Sequence, residues 1–187
     1  THQTHGGFDV LREKRSIWEG RGHIQAQLFL MKNAQDKQED FGYIEIQDVT
    51  SQFGAFAIAG PKSRELLEKI VKATNPNEVF SNQSFPWLSS QNIELGMVPV
   101  LAIRVAYTGE LGWEIYIPIK KTNIIFEKIK KLGKKYKLTY SGMHTLDILR
   151  LEKKFLHWGH DITSENNPLE AGLSFAVNYK KKENFIG

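Results

Sequence analysis

The chain of 187 residues contains no cysteine. Disulfides, thiolate metal sites and cysteine nucleophiles are thereby excluded; the absence is neutral about compartment, and the cytoplasm is the default expectation. No apolar run approaches the roughly 18 residues of a membrane-spanning helix, and no signal-peptide pattern opens the sequence. No membrane partner is therefore expected. The G-x-S-x-G nucleophile elbow, the Rossmann glycine fingerprint and the P-loop are all missing. So are internal repeats, low-complexity tracts and any clear linker. Basic residues interleaved with exposed aromatics, the mark of a nucleic-acid surface, are lacking too, and no nucleic-acid partner is expected.

What is present is an ordinary globular composition, with 41% hydrophobic and 25% charged residues. The formal net charge is +4 and the pI about 9.1. Lysines gather late, in "KKTNIIFEKIKKLGKKYK" (Lys120 to Lys137) and "KKK" (Lys180 to Lys182). A solvated helix face accounts for them, with attraction for a small polyanionic ligand as the sharper alternative.

The first 42 residues show no clean period beyond helical spacing of Ile24, Leu28 and Met31 within residues 23–40. From Tyr43 onward the pattern is clearer. "YIEIQDV" (Tyr43 to Val49) alternates as a strand with one apolar face, and "FGAFAIAG" (Phe53 to Gly60) is a continuous apolar run suited to a buried strand. Pro61 is placed to open a helix whose stripe is Leu66, Leu67, Ile70 and Val71. "TNPNEVFSNQSFPW" reads as a loop with at most one helical turn, and "MVPVLAIRVA" and "GWEIYIP" read as strands. Ile125, Ile129, Leu132 and Tyr136 mark an amphipathic helix. Ser141 is placed to cap a last helix from Gly142 to about Phe155, and "LSFAVN" (Leu173 to Asn178) offers one more strand. This order predicts an α+β fold: an antiparallel or mixed sheet with helices packed on one face.

One acid stands out. In "RVAYTGELGWEIYIP" (Arg104 to Pro118), a glycine-rich reversal at residues 108–112 joins two strands. Alternation puts Trp113, Ile115 and Ile117 on one face, and Glu114 and Tyr116 on the other. If that second face meets solvent, Glu114 is an ordinary exposed acid. If it lines a pocket, its two acceptor oxygens match a ligand edge with two adjacent N–H donors, as in a guanidinium or a pterin. Periodicity alone leaves both readings open. "HWGHD" brings His157, His160 and Asp161 together in a stretch that reads as loop, so no ligand face is set. Packing and hydrogen bonding are expected of them rather than a metal site.

Three stretches together go further: "AIAGPKSRELLEKI" (Ala57 to Ile70), "RVAYTGELGWEIYIP", and "GMHTLDILRLEKKFLHWGHDITSENNPLEAGLSFAV" (Gly142 to Val177). In order and spacing they resemble the folate-binding aminomethyltransferase family, which includes the glycine-cleavage T-protein and the C-terminal halves of dimethylglycine and sarcosine dehydrogenases. "LRLEK", "HWGHDIT" and "NPLEAGL" look closer to the dehydrogenase-type branch. The resemblance implies a tetrahydrofolate-dependent one-carbon transfer enzyme of aminomethyltransferase-like fold. Its partners would be the folate and an N-methyl amine donor. A flavin dehydrogenase domain, with FAD, would accompany the dehydrogenase-type branch, and a lipoyl protein the T-protein alternative. A non-catalytic folate-binding module and a sulfonium-dependent demethylase are further readings on the same fold.

Carried over by position, the family's pterin-binding glutamate falls on Glu114, with Tyr107 and Tyr116 as further residues of the same pocket. The catalytic aspartate, which follows a Gly-Gly pair, falls on Asp9 in "GGFDVL", one position early. Where T-proteins carry an arginine before the aspartate of their "DSLRLE" motif, this chain has Leu146 before Asp147. A guanidinium contact to the folate is then missing or comes from elsewhere. Family members are about twice as long. Residues 1–42 accordingly match a shortened part of the first folate-binding subdomain, and residues 43–187 the α+β folate-binding region without the family's C-terminal β-barrel.

Overall fold

An apolar residue at every second position of "GWEIYIP" calls for strand neighbours at both edges and a helical layer over one face. The computed structural model describes residues 8–10, 15–17 and 49–182, the first two stretches as backbone strands. These strands, β1 (Phe8–Val10) and β2 (Arg15–Ile17), form an antiparallel ribbon. The main sheet holds β3 (Phe53–Ala59), β4 (Ser90–Leu95), β5 (Val98–Ile103) and β6 (Gly112–Pro118). Its order is β3-β6-β5-β4, and every pairing is antiparallel. The chain divides into two units. The first comprises residues 1–106 and 110–139, the second residues 107–109 and 140–187.

Among the described residues of the first unit, the helices are α1 (Ser63–Glu68), α2 (Pro76–Val79) and α3 (Thr122–Gly133). Trp113, Ile115 and Ile117 form one core with Ile58, Val100 and Ala102 from neighbouring strands, Leu66 and Leu67 of α1, and Ile125 and Ile129 of α3. Helices therefore cover one face of an antiparallel sheet, and the fold is α+β.

Four local readings change. Among the described residues β3 lies at the sheet edge and pairs with β6 alone, and Ala55, Ala57 and Ala59 are exposed. β4 was not signalled, because Ser90, Gln91 and Asn92 mask its period. Gly96 and Met97, at φ 54° and 69°, turn β4 tightly into β5. The reversal before β6 is not tight. Residues 104–111 connect β5 to β6, which share three rungs, Leu101–Tyr116, Ala102–Ile115 and Ile103–Glu114. Helix α1 starts beyond Pro61, at buried Ser63, whose hydroxyl donates to the Gly60 carbonyl at 2.7 Å and reaches that of Leu111 at 3.0 Å. Gly112 can open β6 only without a side chain, since a Cβ there would lie 2.8 Å from the Ile58 carbonyl oxygen and 2.9 Å from the Ala106 Cβ.

The second unit contains α4 (Met143–Glu152). Its N-cap is Gly142, not Ser141, and no side chain caps it, because the extended backbone at Gly142 already makes the entry. The strand expected at "LSFAVN" is a 3-10 turn, Ser174–Ala176, as no neighbouring strand offers it a ladder among the described residues. The expected helical spacing in residues 23–40, nearly all of the strand at 43–49, and the boundary between residues 42 and 43 lie outside the described residues. Among the described residues, no helix is long and apolar enough to cross a membrane.

Candidate functional site

Glu114 is placed by the register of β6, with Ala57 of β3 opposite it on one side and Ile103 of β5 on the other. Tyr116, two residues on, shares its face. That face is apolar around Tyr116. Tyr116 is buried and packs with Leu101 and Ile103, flanked by Phe53 and Val105. Glu114 is neither fully exposed nor enclosed: it sits half-buried beside this apolar group, with the exposed Ala55 and Ala57 of β3 on the same face. The Tyr116 hydroxyl donates to Glu114 Oε2 at 2.9 Å, which fixes the rotamer of the carboxylate. From β3, only the methyl groups of Ala55 and Ala57 face Tyr116 and Glu114. A carboxylate has about four acceptor positions, so its chemistry suits paired N–H donors.

Asp9 falls in β1, opposite Ser16; nothing of its side chain is described. Tyr107 belongs to the second unit. Its ring meets His157 edge to face at 5.9 Å, and the Arg150 guanidinium lies 6.0 Å from its centre. The Tyr107 hydroxyl is buried without a hydrogen-bond partner. Burial raises its pKa, against the pull of Arg150 in the other direction.

Sequence reasoning passed over Arg150, the hub of the second unit. This side chain is 1% exposed. Its Nε donates to Asp147 Oδ1 at 3.1 Å, and its Nη1 to the Phe155 carbonyl at 2.9 Å and to Asp161 Oδ2. Asp161 also accepts the His157 backbone N–H at 2.7 Å, and its other oxygen lies 3.1 Å from His160 Nδ1. The end of "HWGHD" thus ties its loop to α4. Among the described residues, no group of three or more histidines and acids is placed to hold a metal ion. With its Nε and Nη1 hydrogens engaged internally, Arg150 is a structural cation. The signal was available: an arginine amid the leucines of "DILRLE", with acids three residues before and eleven after it.

This network makes the second unit acid-sensitive. The His157 backbone N–H, then Arg150, then His160 hold the Asp161 carboxyl well below the usual carboxylate range. A depressed folded-state pKa stabilises above the unfolded value, near 3.9 for Asp, and the benefit fades as pH falls below it. Asp161→Asn is therefore expected to speed hydrogen exchange of the α4 amides at pH 7. The gap from wild type should narrow as pH drops below about 4. A gap that does not change with pH would count against the ion-pair account.

Comparison with known proteins gives the family. The family model described as GCVT N-terminal domain matches residues 17–181. Mitochondrial dimethylglycine dehydrogenase of Mus musculus is 39% identical over 147 residues, which are 78% of this chain and 16% of that protein. Mitochondrial sarcosine dehydrogenase of Mus musculus is 32% identical over 143 residues, 76% of this chain and 15% of that protein. Aminomethyltransferase of Symbiobacterium thermophilum is 33% identical over 172 residues, 85% of this chain and 44% of that protein. The chain thus spans less than half the length of each of these relatives. With 17–181 covered by a single family model, the chain belongs to the GCVT N-terminal domain family.

Proposed function

We propose that this chain is the tetrahydrofolate-binding region of an enzyme that passes a one-carbon unit from an N-methyl amine to folate. In this reading it resembles the folate region of a dimethylglycine- or sarcosine-dehydrogenase-like protein. The observation that carries the proposal is the Glu114 carboxylate, half-buried on an apolar sheet face and oriented by the Tyr116 hydroxyl. The residues fit a pterin edge: an acceptor-only group for paired N–H donors, a neighbouring aromatic, and alanine methyls on β3 that leave room beside it.

When bound, tetrahydrofolate supplies a nucleophilic nitrogen that captures the one-carbon electrophile. The chain's contribution is orientation. Glu114 accepts from the amino-pyrimidinone edge, Tyr116 holds Glu114, and Asp9 is assigned to take the proton from the folate nitrogen. The apolar side chains beside Glu114, Leu101 and Ile103 among them, would help to exclude water from the bound one-carbon unit. The 39% identity to a dimethylglycine dehydrogenase, against 33% to an aminomethyltransferase, favours the amine-oxidising branch, with FAD in a separate domain. An aminomethyltransferase served by a lipoyl protein is the second reading. Calorimetric titration of the whole chain with tetrahydrofolate, kept reduced, is expected to show saturable binding at one site. Absence of saturable heat would remove the proposal.

A further inference from the structure

On the opposite face of β6 from Glu114, two guanidinium groups meet one indole. Arg64 of α1 and Arg104, just past β5, place their guanidinium carbons 5.9 and 5.7 Å from the centre of the Trp113 ring. Trp113 is fully buried, with Phe80 and Phe85 edge to face at 5.3 and 6.2 Å. Among the described residues the two arginines are served by neutral oxygens. Arg64 Nη2 donates to Asn82 Oδ1 at 2.7 Å, and Arg104 Nη1 to the Phe85 carbonyl at 2.6 Å. Among the described residues, neither joins an ion pair.

Two further donors around this indole, Arg64 Nε and Trp113 Nε1, are buried without an acceptor. Buried N–H groups are nearly always hydrogen-bonded, so two orphans in one cluster call for a missing partner. The charges point the same way. Arg104 is depressed below its ordinary pKa by burial and then by the charge of Arg64, a repulsion that a bound anion would relieve. Both arginines are half-buried and Asn82 is exposed, so the cluster reaches the surface there.

We propose that Arg64, Arg104 and the Trp113 N–H form a binding site for a phosphate-class oxyanion, either inorganic phosphate or the phosphoryl group of a small metabolite. A phosphoryl dianion matches two guanidinium charges, and its several oxygens match the donors left over. A monocarboxylate carries one charge and fits one arginine fork. The site is independent of folate binding, since it uses the helix-covered face of the sheet.

The test is a titration of the whole chain with inorganic phosphate at constant ionic strength, following the Trp113 indole N–H resonance in ¹⁵N-labelled protein. A saturable shift of that resonance is expected, while acetate and chloride leave it in place. Arg64→Gln and Arg104→Gln should each weaken phosphate binding by about tenfold or more, the loss expected for one hydrogen bond to a charged group. If either variant fails to fold, the wild-type comparison of phosphate with acetate decides alone. A parallel titration with glycerol phosphate assigns the source: tighter binding than phosphate points to a phosphorylated metabolite, weaker binding to the free ion. No saturable shift, or an equal shift with acetate or chloride, overturns the proposal and leaves the cluster as cation–π packing.

Discussion

Trp113→Ala is expected to destabilise the first unit by about 3–5 kcal/mol, the usual cost of truncating a fully buried tryptophan. Trp113 is 0% exposed, and three groups of contacts converge on it. Phe80 and Phe85 pack edge to face against it, the Arg64 and Arg104 guanidiniums lie over it, and β6 pairs it with Ile58 of β3. Neighbours held by a sheet rung and by the segment after α2 cannot collapse into the volume an alanine would leave, so the cavity term adds to the lost transfer energy. Domains of this size are stable by only about 5–15 kcal/mol, so the variant should be partly unfolded at physiological temperature. Trp113→Phe keeps an aromatic plane beneath both arginines and should cost less. Urea denaturation followed by far-ultraviolet circular dichroism measures both variants. A loss below about 1 kcal/mol in Trp113→Ala, a third of the expected minimum, would mean that the indole does not organise this core.

Trp113 was legible because "GWEIYIP" alternates, and alternation is what a sheet with one helix-covered face imposes. The burial of Leu66, Leu67, Ile70 and Val71 was legible from helical spacing, but α1 ends at Glu68 and Val71 bridges to Leu95 instead. β4 was not, because an edge strand beginning Ser90-Gln91-Asn92 buries little and shows no hydrophobic period. The start of α4 was misread because Ser141 has capping chemistry, while the backbone at Gly142 makes the turn unaided. Period two could divide Glu114 from Trp113, but it carried no information on whether the second face met water. That depended on Leu101, Ile103 and Tyr116 gathering across β5 and β6, a register fixed by residues 104–111 rather than by local pattern. The Arg150 network was hidden for a similar reason. Its partners, Asp147, Phe155 and Asp161, meet only where the chain folds back after α4.

Glu114→Ala is expected to weaken tetrahydrofolate binding by at least on the order of 100-fold while leaving the fold intact. Two hydrogen bonds to a carboxylate are each worth about 1.5–3 kcal/mol, and alanine removes both acceptors. The cost to folding should stay at about 1–3 kcal/mol, since a half-buried acceptor of the Tyr116 hydroxyl is lost but no core volume is. Glu114→Gln sharpens the test. Its amide oxygen can still take the Tyr116 hydroxyl, so the side chain keeps its orientation, but one acceptor becomes a donor that faces a ligand N–H. Binding should fall by at least about tenfold with stability unchanged. The contrast with Trp113 is the decisive feature. Adjacent residues on opposite faces of one strand should separate cleanly, Trp113→Ala losing the fold and Glu114→Gln losing only the ligand. Calorimetric titration with tetrahydrofolate, paired with urea denaturation of each variant, reads both axes. Wild-type-like folate binding by Glu114→Gln would show that the carboxylate does not recognise a paired N–H edge, whatever else the chain binds.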